Sequence, residues 1–154
     1  MPQHLDIDEI QDHDPIKITK KKAKDAYSQI KAPLIVNDAF WSIPALNGFT
    51  GGYMKDITEW FDAQDFINLM RDKRDKSILI TDCIVYVDED GMKVFSKKIS
   101  CEFTLQPKGE GNSIEKVVVL NGKTLAEYHG DGELSEKPNE LIYYEFAKWY
   151  SHKK

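Results

Sequence analysis

The sequence predicts an α/β fold, a sheet flanked by helices, within one domain spanning residues 1–154. Three observations carry this. Apolar, β-rich runs occupy residues 34–36, 77–87 and 117–120, and apolar residues recur at near-helical spacing over 56–73. Glycine-rich and Asn-Gly turn signals separate these runs. At 154 residues with 41% hydrophobic content, the chain can bury a core of ordinary size.

The first helix is expected over residues 14–30, with Asp14 as N-cap and Pro15 at the first helical position. Its lysines at 20, 21, 22 and 24 read as a solvated face. After Pro33, a short buried strand over 34–36 delivers Asn37 and Asp38 at its carboxyl end, the edge where open α/β sheets hold ligands. In the next segment Gly48, Gly51 and Gly52 mark a loop whose backbone a Cβ would obstruct. Helix follows over 56–73 with a break near Asp62. Residues 77–87, a turn at Asp88-Glu89-Asp90-Gly91 and residues 92–105 form a long hairpin. A loop with Pro107, Gly109 and Gly111, a strand over 117–120, a turn at Asn121-Gly122 and a closing helix over 138–151 complete the pass.

A net charge of −5 and a pI near 5.4 disfavour nucleic acid or an anionic membrane as the main partner. The absence of a long apolar run and the acidic residues 1–11 point to the cytosol. Cys83 and Cys101, outside any CxxC pattern, read as buried thiols of a reducing compartment.

The order of elements, and above all Leu34-Ile35-Val36-Asn37-Asp38 followed by Ala45-Leu46-Asn47-Gly48-Phe49-Thr50-Gly51-Gly52-Tyr53-Met54-Lys55, resembles the inosine triphosphate pyrophosphatase family and its run VxVEDSG…ALNGxPGxYSK. Glu9-Ile10-Gln11 through Asp14-Pro15, and Lys123-Thr124-Leu125-Ala126-Glu127 with Glu136-Lys137, add weaker matches. The resemblance implies a mixed sheet with flanking helices and a groove for a purine triphosphate. A divalent metal there would help water attack the α-phosphorus, releasing monophosphate and pyrophosphate. That chemistry needs carboxylates for Mg²⁺, cations for phosphate and a carboxylate for the water.

Against that pattern, several functional positions differ. The family's phosphate cradle would fall before Met1, so its first strand and helix are expected to be missing. Lys17 stands where a metal-binding glutamate is expected, and a charged lysine cannot bind Mg²⁺. The acidic pair is Asn37-Asp38, followed by Ala39-Phe40 in place of Ser-Gly. Ser113-Ile114-Glu115-Lys116 and Ile142-Tyr143-Tyr144 replace base-reading motifs.

The resemblance therefore implies a non-catalytic purine nucleotide-binding or sensing subunit that needs no cofactor and favours deoxyinosine triphosphate. Lys17, Asn37, Asp38, Lys55 and Lys137 would lie near phosphate, Asn47 and Gly48 would shape the loop, and Tyr143 or Tyr144 would stack on a purine. An active Mg²⁺-dependent pyrophosphatase is the alternative, with Asp38 as base and metal held by Asp38 with Glu9 or Asp14. A purely structural dimerisation partner is another. The family resemblance implies a homodimer, and the chain is also similar to the pyrophosphatase-like subunits of Kongming-type anti-phage systems, which implies control of a sirtuin-like, NAD-degrading effector. The aromatic segment Tyr143, Tyr144, Phe146, Trp149, Tyr150 is then either an effector surface or core.

Overall fold

A computed structural model of the chain describes residues 5, 7, 8, 10 and 12–153. Helix α1 (Pro15–Ile30) starts as its sequence requires: the Asp14 side chain accepts from the Ile16 N–H, and Pro15 fills the first turn. It ends at Lys31 in the left-handed conformation, whose N–H bonds the Tyr27 carbonyl.

Strand β1 (Leu34–Ile43) is ten residues long. Asn37 and Asp38 therefore lie inside it, not at the end of a short strand. The reason is pairing: Leu34 through Ser42 match Val87 through Leu79 of β3 without interruption. After a 3-10 turn (Pro44–Leu46), β2 (Phe49–Gly51) folds back on the last residues of β1. Helices α2 (Met54–Trp60) and α3 (Ala63–Met70) are separated at Asp62, which forms a capping box with Asp65.

Strands β3 (Ser77–Asp88) and β4 (Gly91–Phe103) form the long hairpin, closed by the two residues Glu89 and Asp90 with Gly91 at φ 133°. Short strands β5 (Val118–Leu120) and β6 (Lys123–Thr124) follow, joined by Asn121-Gly122. Helix α4 (Leu125–Asp131), which the sequence reading did not separate, opens with a Thr124–Glu127 capping box. The closing helix starts later than expected: Pro138–Glu140 is a 3-10 turn, Leu141 is extended, and α5 is Ile142–Ser151.

The sheet order is β2-β1-β3-β4-β5-β6. Every neighbouring pair is antiparallel, so the mixed sheet implied by the resemblance is antiparallel among the described strands, which a hairpin and backtracking connections join. Because side chains alternate across a strand, each sheet face carries its own layer. On one, Ala23 of α1 packs on Cys83, Val85 and Val87, with Ile16, Leu34 and Val36 around them. The small Ala23 and Ala26 let this helix sit close to the strands. The other face holds the larger core, with Phe66 and Met70 of α3 and Leu125 and Tyr128 of α4 among its buried residues. Farther along that face, Phe146, Trp149 and Tyr150 of α5 pack on Tyr86 and Phe95.

Cys83 and Cys101 are buried free thiols, as expected; burial raises the Cys83 pKa and pushes that of Cys101 up to about 11. Among the described residues, no helix is long and apolar enough to cross a membrane.

Candidate nucleotide cleft

Helix α1 covers only part of its sheet face. Beyond its N-terminus a cleft of about 810 Å³ opens, within the size range of small-ligand sites. Its floor is the exposed hairpin: Leu79 and Thr81 of β3, with Ser96 and Lys98 of β4. One wall is residues 12–16, and the other is Phe40 and Ser42 with residues 47–53. Strand alternation explains the floor, since Phe40, Thr81 and Lys98 share one row of the register. The glycine loop explains the second wall: Asn47 and Gly48 both have positive φ, and a Cβ on Gly48 would meet the Ser42 Oγ at 3.6 Å.

Asp38 lies one row away, beneath α1 and outside the cleft lining. Lys22 Nζ donates to its Oδ1 at 2.8 Å, and the two side chains retain only 19% and 17% of their exposure. Asp38 Oδ2 is buried without a hydrogen-bond partner. Lys22 thus does not belong to the solvated face expected of the lysine run. It follows the buried Ile18 by four residues, so helical phase turns it inward.

The remaining predicted residues scatter. Asp14 lines the cleft, but its Oδ1 is occupied by the Ile16 N–H. Asn47 and Gly48 line it as well. Lys17 does not: its side chain is 63% exposed and points to Asp12 at 3.6 Å. Lys55 is an exposed residue of α2 outside the lining.

Asn37 and Tyr143 meet each other on the opposite face, where the Tyr143 hydroxyl donates to Asn37 Oδ1 at 2.8 Å and Asn37 Nδ2 donates to the Cys83 carbonyl. Grouping Asn37 with Asp38 fails because neighbouring strand residues point to opposite faces. Tyr144 and Lys137 are exposed and outside the cleft, with Lys137 preceding the Pro138–Glu140 turn. The Ser113–Lys116 run is divided between core and surface: Ile114 is buried, and Glu115 contacts His129. Glu9 lies outside the described residues.

Thr81, Ser96 and Lys98 were missed because nothing in the local sequence sets the parity of the hairpin; only its pairing does. Lys98 is the one lysine among the described lining residues. Together with the hydroxyls of Ser42, Thr81 and Ser96, its ammonium supplies donors suited to an anion, and Phe40 and Tyr53 supply aromatic surface.

The opposite face holds a second polar cluster. Asp82 stands across from Lys97, which is paired with Glu136. Burial first, and then the Glu136 charge, raise the Asp82 pKa. Burial, then Asp82, raise that of Tyr143.

For a resident Mg²⁺ the described donors fit poorly. Asp12 and Asp14 are engaged at the start of α1, Asp38 is held by Lys22, and no group of three or more His, Cys, Asp or Glu is placed to hold a metal among the described residues.

Comparison with known proteins accords with this architecture. The chain is 26% identical over 151 residues to the inosine triphosphate pyrophosphatase of Candida glabrata, covering 94% of this chain and 79% of that protein. It is 24% identical over 152 residues to the dITP/XTP pyrophosphatase of Methanopyrus kandleri, covering 96% and 81%. The Ham1 protein of Staphylococcus aureus has the same fold, with a TM-score of 0.77 at 19% identity over 97% of this chain and 83% of that one. The Ham1 family, in its Ham1p-like description, matches residues 1–133, and the chain therefore belongs to the Ham1 family.

Proposed function

We propose that this protein binds a non-canonical purine nucleoside triphosphate, deoxyinosine triphosphate foremost, in the cleft above the hairpin and does not hydrolyse it. The dITP/XTP pyrophosphatase name of one relative supports the ligand class. The observation that carries the second half is the position of Asp38. A general base must come within about 2.6–3.2 Å of the water it activates. Asp38 is instead outside the cleft lining, with one oxygen engaged by Lys22 and the other enclosed. In this reading Lys98 and the hydroxyls of Ser42, Thr81 and Ser96 hold phosphate oxygens, and Phe40 or Tyr53 stacks on the base. A binding protein without turnover needs a partner to act through, and the sirtuin-like, NAD-degrading effector of an anti-phage system is that partner here.

A second reading, an active pyrophosphatase, is favoured by the relatives' names and by the unsatisfied Oδ2 of Asp38, which a shift of α1 would free. Mg²⁺ would supply Lewis-acid stabilisation of phosphate charge, and Asp38 with Glu9 or Asp14 would have to hold it. Calorimetric titration with deoxyinosine triphosphate, beside a pyrophosphate-release assay with Mg²⁺, separates the readings. We expect saturable binding and no release. Turnover that Asp38→Asn abolishes would establish the enzyme, and absence of binding would leave a purely structural role.

A further inference from the structure

The far end of the α5 face, at the tip of the hairpin, holds a buried charge that the cleft does not use. Asp88, the last residue of β3, keeps only 9% of its side-chain exposure. Its carboxylate is fixed from two sides: the Tyr86 hydroxyl donates to Oδ2 at 2.9 Å, and the Asp90 N–H donates to Oδ1 at 3.0 Å. The Tyr86 ring is fixed in turn, with the rings of Phe146, Trp149 and Tyr150 at 6.1, 5.3 and 5.6 Å between centroids. A carboxylate so enclosed is costly to leave without a cation.

That cation is Lys153. Its Nζ pairs with Asp88 Oδ2, donates to the Tyr86 hydroxyl at 3.4 Å, and stands 4.4 Å from the centroid of the Tyr86 ring and 5.6 Å from that of Trp149. Both distances are within cation–π reach. None of the groups that shape this niche is held in place by Lys153, since hairpin hydrogen bonds and ring packing already position them. Lys153 follows α5 and reaches in from outside, its own N–H bonded to the Tyr150 carbonyl at 3.1 Å. Beside it a cavity of about 230 Å³ opens between Trp149 and the hairpin residues Asp90, Gly91, Met92 and Lys93. That is smaller than a site for a drug-sized ligand and suits one extended side chain or a short amine.

We propose that the hairpin tip and α5 form a binding site for a primary alkylammonium group, which Lys153 fills from within the same chain. The class follows from the contacts. Cation–π attraction alone accepts any organic cation, quaternary ones included. The Asp88 carboxylate and the Tyr86 oxygen, however, face the cation as acceptors of N–H donors, which a quaternary ammonium lacks. A free monoamine and the lysine of a partner protein both carry the group. Either competes with Lys153, so the site stays closed until an ammonium displaces it.

The test is a titration of the full chain at constant ionic strength with n-butylammonium, tetramethylammonium and Nα-acetyl-lysine amide, following the Trp149 indole N–H by NMR. In Lys153→Ala, butylammonium should give a saturable shift, tetramethylammonium should bind more weakly, and adding Asp88→Asn should abolish the response. The wild type should need about ten times more amine for half-saturation, as for a site that its own lysine leaves open about a tenth of the time. Tighter binding of the lysine amide than of butylammonium would assign the site to a partner's lysine, and the reverse order to a free amine. No saturable shift in Lys153→Ala, equal half-saturation in the wild type, equal binding of tetramethylammonium or a response that survives Asp88→Asn overturns the inference. If either variant does not fold, the wild type decides alone: saturable binding that favours butylammonium over tetramethylammonium supports the site, and its absence overturns it.

Discussion

The two faces of the central sheet are built on opposite terms. On the α5 face the helices press large side chains into the strands, and Tyr86, Phe95, Phe146 and Trp149 form a continuous aromatic cluster. On the α1 face a helix with small contact residues covers part of the sheet and leaves the hairpin floor open. The first arrangement stores stability; the second leaves room for a ligand. Adjacent residues of one strand serve both: Asn37 completes the aromatic side through Tyr143, whereas Asp38 faces α1 and Lys22. A two-residue motif read as one site thus presents its residues to opposite faces of the sheet.

The largest contrast should come from Trp149→Ala, which removes a ring lying 5.3 Å from Tyr86 and 5.5 Å from Phe95 between centroids. A loss of about 3 kcal/mol in urea denaturation is expected, with nucleotide affinity of the folded fraction unchanged. If affinity falls in step with stability, the two faces are not independent.

A smaller effect is expected on the α1 face. Lys22→Ala strands a mostly buried carboxylate and should cost about 2 kcal/mol, and Asp38→Asn in the same background should restore much of it. Additive effects in that double-mutant cycle would mean the pair is not coupled.

The smallest effect is one of pH. Asp82 has a folded pKa raised above its ordinary value of 3.8. The folded state therefore holds the proton more tightly than the unfolded chain, and stability falls as pH rises from 3.8 through the folded pKa. Asp82→Asn should raise the melting temperature at neutral pH and lose that advantage below about pH 3.8, where both states are protonated. A gain that is constant across pH would assign the effect to packing instead.

Much of the fold was legible because its signals are local. Asp14-Pro15 marks the start of α1, Asp62 the break between α2 and α3, and the acidic turn before Gly91 the hairpin. The start of α4 was legible too, in Thr124 followed three residues later by Glu127, but went unseen beside the turn it follows. Within the cleft, Asp14, Asn47 and Gly48 were legible from cap and loop chemistry. Lys22 and Lys98 were not, because the direction of a lysine depends on helix phase and strand parity, which only the completed sheet fixes. Asn37, Tyr143 and Lys17, placed near a nucleotide by the family resemblance, do not line this cleft.

The claim that the ligand occupies the α1 face is tested most directly by titrating deoxyinosine triphosphate into the wild type, Lys98→Ala and Tyr143→Phe. Binding should weaken about tenfold in Lys98→Ala, equivalent to about 1.4 kcal/mol, and stay unchanged in Tyr143→Phe. Unchanged binding in Lys98→Ala with weakened binding in Tyr143→Phe would move the site to the α5 face and contradict it.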